Sequence, residues 1–232
     1  MQVKLSNRLA SVAKLVLPGR SAADIGTDHG YLAVHLVVSD ICPSVIATDY
    51  SRGPLEMASQ LVGLLSLDRQ IDLRLGEGLK VLKPGEATTI CIAGMGGFTI
   101  RDILIASPDV LAKTQRLVLQ PQRNAAALRK YLADNGWKII AEEIALDSGF
   151  YYEIMAAEPG SMSLTDTEAE FGPLLLRQPH PLLEQYLSLK LADMEALIGR
   201  LSDKTSPDAL ERQKVLIESA EHLRQVLAKL PK

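Results

Sequence analysis

Ala23-Asp24-Ile25-Gly26-Thr27-Asp28-His29-Gly30-Tyr31-Leu32 starts inside an apolar, strand-like run, Ser21 to Ile25, and breaks at a glycine. It resumes as the apolar, helix-like run Tyr31 to Val38. A glycine-bearing turn between strand and helix is the cofactor position of a Rossmann-like fold, where backbone N–H groups at the helix start face a ligand. Here Asp28 replaces the second glycine of the G-x-G-x-x-G spacing. A dinucleotide needs that position open for its pyrophosphate, and a carboxylate there repels phosphate. The same Coulomb term attracts a ligand that carries positive charge and no phosphate.

Outward from this turn, strand-like and helix-like segments alternate. Val45 to Ala47 precedes Pro54 to Leu65, and Ile71 to Leu75 follows; Thr89 to Ala93 leads to a helix from Thr99; Arg116 to Leu119 leads to one over Asn124 to Asn135. Such alternation predicts a parallel sheet covered by helices on both faces, with its ligand loops along one edge. Lys138 to Leu146 and Phe150 to Ala157, separated by Asp147-Ser148-Gly149, predict an antiparallel hairpin that closes the sheet, the arrangement of class I methyltransferases. An amphipathic helix over Val3 to Leu17 precedes the first strand and ends at Pro18-Gly19. Beyond Glu158 the pattern turns helical. Leu183, Leu187, Leu191, Met194, Ile198 and Leu201 form one apolar stripe; Leu216, Ala220, Leu223, Leu227 and Leu230 form another beyond Pro207. The expected fold is α/β: a Rossmann-like class I methyltransferase domain over 1–158 and a helical, antiparallel coiled-coil-like appendage over 159–232.

Further acids stand at successive strand ends. Asp49 follows Asp24 by 25 residues, near the offset of about 20 for a ribose-binding carboxylate, with Tyr50 beside it. Glu77, between Gly76 and Gly78, is placed to accept from an adenine exocyclic amine. Each acid alone could be a helix N-cap or a solvated loop residue; three at strand ends make a pocket. Asp24, Gly26, Thr27, Asp28, His29, Asp49, Tyr50, Gly76, Glu77 and Gly78 are therefore candidate contacts to S-adenosylmethionine, whose sulfonium and ammonium groups are cationic. A lone histidine in a turn, such as His29, also reads as a cap or packing residue. The fourth strand ends in Ala93-Gly94-Met95-Gly96-Gly97, at the methyl-donor end of the pocket, where glycines let a flat substrate approach. Ala93, Gly94 and Met95 join the cofactor candidates.

A formal charge of −3 and a pI of 5.8 disfavour nonspecific coating of nucleic acid and leave room for a local basic face. Cys42 and Cys91 lie in apolar runs and read as packing residues, and no clustered partners suggest a metal. The absence of a signal-like or membrane-spanning apolar stretch points to the cytoplasm, and the chain is expected to be a monomer.

The chain resembles the bacterial tRNA (adenine-22-N1)-methyltransferases in Leu5-Ser6-Asn7-Arg8-Leu9, in the segment Ala23 to Leu32, and in Gly53-Pro54. The likeness continues in Gly76-Glu77-Gly78-Leu79, Ile92-Ala93-Gly94-Met95-Gly96-Gly97 and Leu119-Gln120-Pro121-Gln122. The resemblance implies methyl transfer to N1 of an adenine in tRNA. A carboxylate that receives the exocyclic N–H stabilises the charge developing on the purine; Asp28 is the candidate. Tyr31 is placed to pack on the base, while Met95 and Gly96 shape its slot. Lys4, Arg8, Lys14, Arg52, Arg123, Arg129 and Lys130 are candidate grips on RNA. Competing readings are a methyltransferase for a small molecule or protein, a noncatalytic RNA- or partner-binding protein, and a dehydrogenase.

Overall fold

The computed structural model describes residues 3–178, 180–202 and 206–230. They form two compact units that divide between Leu174 and Leu175, later than the expected boundary after Glu158.

In the first unit, β1 (Ala22–Ile25), β2 (Val45–Asp49), β3 (Ile71–Leu75), β4 (Thr89–Met95), β5 (Arg116–Pro121), β6 (Trp137–Asp147) and β7 (Phe150–Pro159) form one sheet. Its order is β3-β2-β1-β4-β5-β7-β6. The first five strands are parallel, and β7 runs antiparallel to both β5 and β6. This is the Rossmann-like class I methyltransferase arrangement that the alternation and the closing hairpin predict. Strand order reverses at β1, which has β2 on one side and β4 on the other. The crevice therefore opens over the carboxyl ends of β1 and β4.

Side chains alternate between two cores, as the period of two in a strand requires. Ala22, Cys91 and Val118 face one core, with residues of α1 (Asn7–Lys14), α2 (Tyr31–Val38) and α3 (Arg52–Leu64). Ala23, Ile90, Ile92, Leu117 and Leu119 face the other, with residues of α4 (Gly97–Ile105), α5 (Pro108–Leu111) and α6 (Ala125–Asp134). The first helix is shorter than its amphipathic pattern. The Ser6 hydroxyl accepts from the Leu9 N–H at 3.3 Å and sets the start, and Leu15 is the C-cap.

One basic candidate is corrected outright. Arg129 is fully buried and cannot grip RNA. Its Nε donates to Glu142 at 2.7 Å, Nη2 pairs with Glu153, and Nη1 donates to the carbonyls of Ala169 and Glu170. These bonds tie α6 to the β6–β7 hairpin and to α7 (Asp166–Phe171), which is why the first unit extends past residue 158. Its neighbour Lys130 points outward and pairs with Asp166 at 2.6 Å.

After the short α8 (Pro173–Arg177), the second unit holds α9 (Leu183–Leu201) and α10 (Pro207–Lys229). Arg224 pairs with Glu195 at 2.7 Å and Gln213 donates to the Ile198 carbonyl, so the two helices run antiparallel. Among the described residues no helix is long and apolar enough to cross a membrane. No group of three or more His, Cys, Asp or Glu among them could hold a metal ion.

Candidate functional site

A cavity of about 350 Å³ lies at the switch point between β1 and β4. Most of its wall comes from the quoted turn and from the ends of β2 and β4: Asp24, Gly26 to His29, Tyr31, Asp49, Tyr50 and Ala93 to Met95. β1 ends at Ile25, and Gly26 turns the chain in the left-handed region, φ +72°, which glycine adopts without strain. The N–H groups of Gly26 and Thr27 both donate to the Thr48 carbonyl at 2.8 Å, so the turn is clamped to β2. Asp28 follows with φ +55°, its side chain two-thirds exposed.

Two acids are fixed by hydrogen bonds. Asp49, buried, accepts from the Asp28 N–H at 3.2 Å through Oδ2 and from the Ser51 N–H at 2.9 Å through Oδ1. Each oxygen keeps a lone pair for a further donor. Asp24, also buried, accepts from the Thr27 hydroxyl at 2.6 Å. Burial pushes the Asp24 carboxyl up to about 6, with Asp49 adding to the rise while the Thr27 hydroxyl, the Ala33 backbone and Arg8 oppose it.

The sequence candidates divide accordingly. Asp24, Gly26, Thr27, Asp28, His29, Asp49, Tyr50, Ala93, Gly94, Met95 and Tyr31 converge on the cavity. Tyr31 and Tyr50 are exposed at 47% and 79%, and the His29 and Tyr31 ring centroids are 5.8 Å apart. Gly76, Glu77 and Gly78 are outside its lining. The Gly76 N–H donates to the Asp49 carbonyl, and the exposed Glu77 carboxylate pairs with Lys80 at 2.7 Å.

The three glycines ending β4 do different jobs. Gly94 lies open between Arg8 and Gln122; a Cβ there would meet Arg8 Nη1 at 3.6 Å. Gly96 caps α4 beside Arg123 and is outside the cavity lining. A Cβ on Gly97 would fall 2.4 Å from the Asn124 carbonyl oxygen, so that glycine serves packing and not substrate access.

Arg8 stands apart from the other basic candidates. It lines the cavity, with Nη1 donating to Gln120 at 2.8 Å, instead of standing free on the helix face. Leu9, Leu32 and Gln122 also line the wall, and none was singled out for the cofactor. Lys4, Lys14, Arg52 and Arg123 remain exposed.

Comparison with known proteins agrees with this geometry. Residues 22–225 match the model of the TrmK family, tRNA (adenine(22)-N(1))-methyltransferase. The chain is 32% identical to the tRNA (adenine(22)-N(1))-methyltransferase of Bacillus subtilis (strain 168), over 97% of this chain and 98% of that one. Among solved structures, Streptococcus pneumoniae Sp1610 in complex with S-adenosyl-L-methionine superposes with a TM-score of 0.87 at 34% identity, covering 97% of this chain and 100% of the other. M. capricolum TrmK in complex with S-adenosyl-homocysteine gives a TM-score of 0.85 at 25% identity, covering 98% and 99%. Likeness that spans both compact units, and not the Rossmann-like sheet alone, places this chain in the TrmK family of tRNA (adenine(22)-N(1))-methyltransferases.

Proposed function

We infer that the cavity binds S-adenosyl-L-methionine and that the chain transfers its methyl group to N1 of adenine 22 in tRNA, acting as a cytoplasmic monomer. The observation that carries this reading is the donor set on the wall: Asp24, Asp28 and Asp49, with Asp49 held by two backbone N–H groups. Asp24 and Asp28 fit a ligand with cationic groups and no phosphate and oppose a dinucleotide, while Asp49 fits the ribose. When bound, the cofactor supplies a methyl group on a positively charged sulfur.

The residues of the chain do the rest. Asp49 offers its remaining lone pairs to the ribose hydroxyls. Asp24 faces the positive end of the ligand, and Gly26 and Thr27 shape the floor. Adenine N1 is neutral and carries its own lone pair, so no base is needed; positive charge instead builds on the purine. Asp28 accepts the exocyclic N–H and stabilises that charge. Tyr31 presents a face for stacking an adenine drawn out of the tRNA stack, and Tyr50, beside Asp49, serves the cofactor.

The test is incubation with labelled S-adenosylmethionine and unmodified tRNA, followed by digestion and mass spectrometry of the nucleosides. Label at N1 of adenine 22 is expected. Label at N6 or at another nucleotide, or no transfer at all, overturns the assignment; the last outcome is what a noncatalytic binding protein gives.

Cofactor binding should also depend on pH. Asp24 titrates near 6 in the folded chain, and its ionised form is the one that attracts a cation. Affinity is therefore full above pH 7 and falls as pH drops through 6, by about tenfold at pH 5. Calorimetry from pH 5 to 8 reads this directly. His29 faces the same cavity, so Asp24→Asn is the control. It should flatten the profile, and a flat wild-type profile removes Asp24 from the cation site.

A further inference from the structure

The cavity wall carries three aspartates, yet one basic side chain faces them: Arg8 is the only lysine or arginine among the described residues that line it. Its position is built. The Ser6 cap starts α1 two residues earlier, and Val12 and Ala13 bury that helix against the sheet. Gln120, on β5 and wholly buried, accepts from Arg8 Nη1 at 2.8 Å and from the Gly94 N–H at 3.0 Å through the same oxygen. The guanidinium is thus pinned over the end of β4, 5.7 Å from the centre of the Tyr152 ring. Gln120 Nε2 is buried and has no hydrogen-bond partner. That is a cost the site accepts in order to keep the oxygen on Arg8.

The choice of an amide is informative. A neutral acceptor fixes the direction of a guanidinium without neutralising it, and no carboxylate of a described residue pairs with Arg8. Its unspent charge nevertheless reaches Asp24, whose carboxyl it helps to hold down. The cofactor inferred above carries one anionic group, the carboxylate of its amino-acid end, beside the ammonium. In an acidic cavity that carboxylate is repelled unless a cation receives it.

We propose that Arg8 receives the α-carboxylate of S-adenosylmethionine and that Gln120 is the positioning residue that aims it. The assignment rests on the cofactor reading above. It makes Arg8 a cofactor contact and removes it from the set that grips RNA.

Calorimetry with S-adenosylmethionine and its decarboxylated analogue, which lacks only that carboxylate, tests the proposal. The wild type should prefer S-adenosylmethionine. Arg8→Met should weaken it by about 10- to 100-fold, the range of a charge-assisted bond to a carboxylate, while leaving the decarboxylated compound unchanged or tighter. Gln120→Glu is nearly isosteric and keeps the acceptor but neutralises Arg8, so it should reproduce the selective loss. Thermal melting without ligand establishes that each variant folds. Equal weakening of both compounds by a folded Arg8→Met chain overturns the assignment of Arg8 alone. Unchanged cofactor affinity with a raised KM for tRNA overturns it in favour of a phosphate contact. A wild-type chain that takes up neither compound overturns the cofactor reading, and this proposal with it.

Discussion

Asp28→Asn is expected to lower the single-turnover rate of tRNA methylation by about 100- to 1000-fold at saturating cofactor, the range for removing one charged group aimed at a developing charge. Asparagine is the informative replacement. Asp28 sits at φ +55°, a conformation that Asp and Asn tolerate better than alanine, so the variant removes the charge without straining the turn. The backbone N–H that Asp28 donates to Asp49 is unaffected by the side chain. Saturating cofactor and single turnover separate the chemical step from any loss of cofactor attraction that the missing charge causes. The adenine carries no full charge before the reaction and acquires one during it, so the loss should fall on the rate and spare the KM for tRNA. A folded Asp28→Asn chain with the wild-type rate takes Asp28 out of the mechanism.

The sheet was legible in the sequence because its signals are local. Tyr31–Val38 and Ile71–Leu75 agree with the structure to the residue, since a largely apolar run after Gly30 and a strict apolar–charged alternation before Gly76 mark their own ends. α5, α7 and α8, of 4, 6 and 5 residues, are too short to show a helical period and were not expected. The same contrast runs through the site. Asp24 and Asp49 were readable because a strand end fixes where a residue lies, and β1 and β2 flank the crevice. Glu77 follows β3 at the outer edge of the sheet, where Lys80, three residues on, takes its carboxylate. The place of Arg8 on the cavity wall is not legible in the sequence, because helical periodicity says which face of α1 is polar and says nothing of what that face meets. Its partner Gln120 is 112 residues away on a strand whose place in the sheet follows from topology. The glycines after β4 gave a single signal in the sequence, yet Gly94 borders the cavity and Gly97 is pressed against the Asn124 carbonyl.

Arg129 shows the same limit with the largest energetic consequence. Its side chain is 1% exposed and its two carboxylate partners are 0% and 9% exposed. Burial opposes its charge, and Glu153 and Glu142 more than offset that, holding the guanidinium above its ordinary pKa. Arg129→Met would keep most of the volume and leave both carboxylates buried without this cation. The expected loss of stability is about 3–5 kcal/mol. At a slope of about 1–3 kcal/mol per molar urea, this is a fall of at least about 1 M in the unfolding midpoint. Removing the cation and the charges together should cost far less, because the penalty is that of two buried negative charges that have lost their guanidinium. Arg129→Met combined with Glu142→Gln and Glu153→Gln retains an acceptor for the Leu174 N–H, which now bonds Glu142 at 2.8 Å, and should recover more than half of the loss. A single variant that melts within about 1 kcal/mol of the wild type would show that water reaches the cluster and that the lock between α6, the hairpin and α7 is held by packing alone.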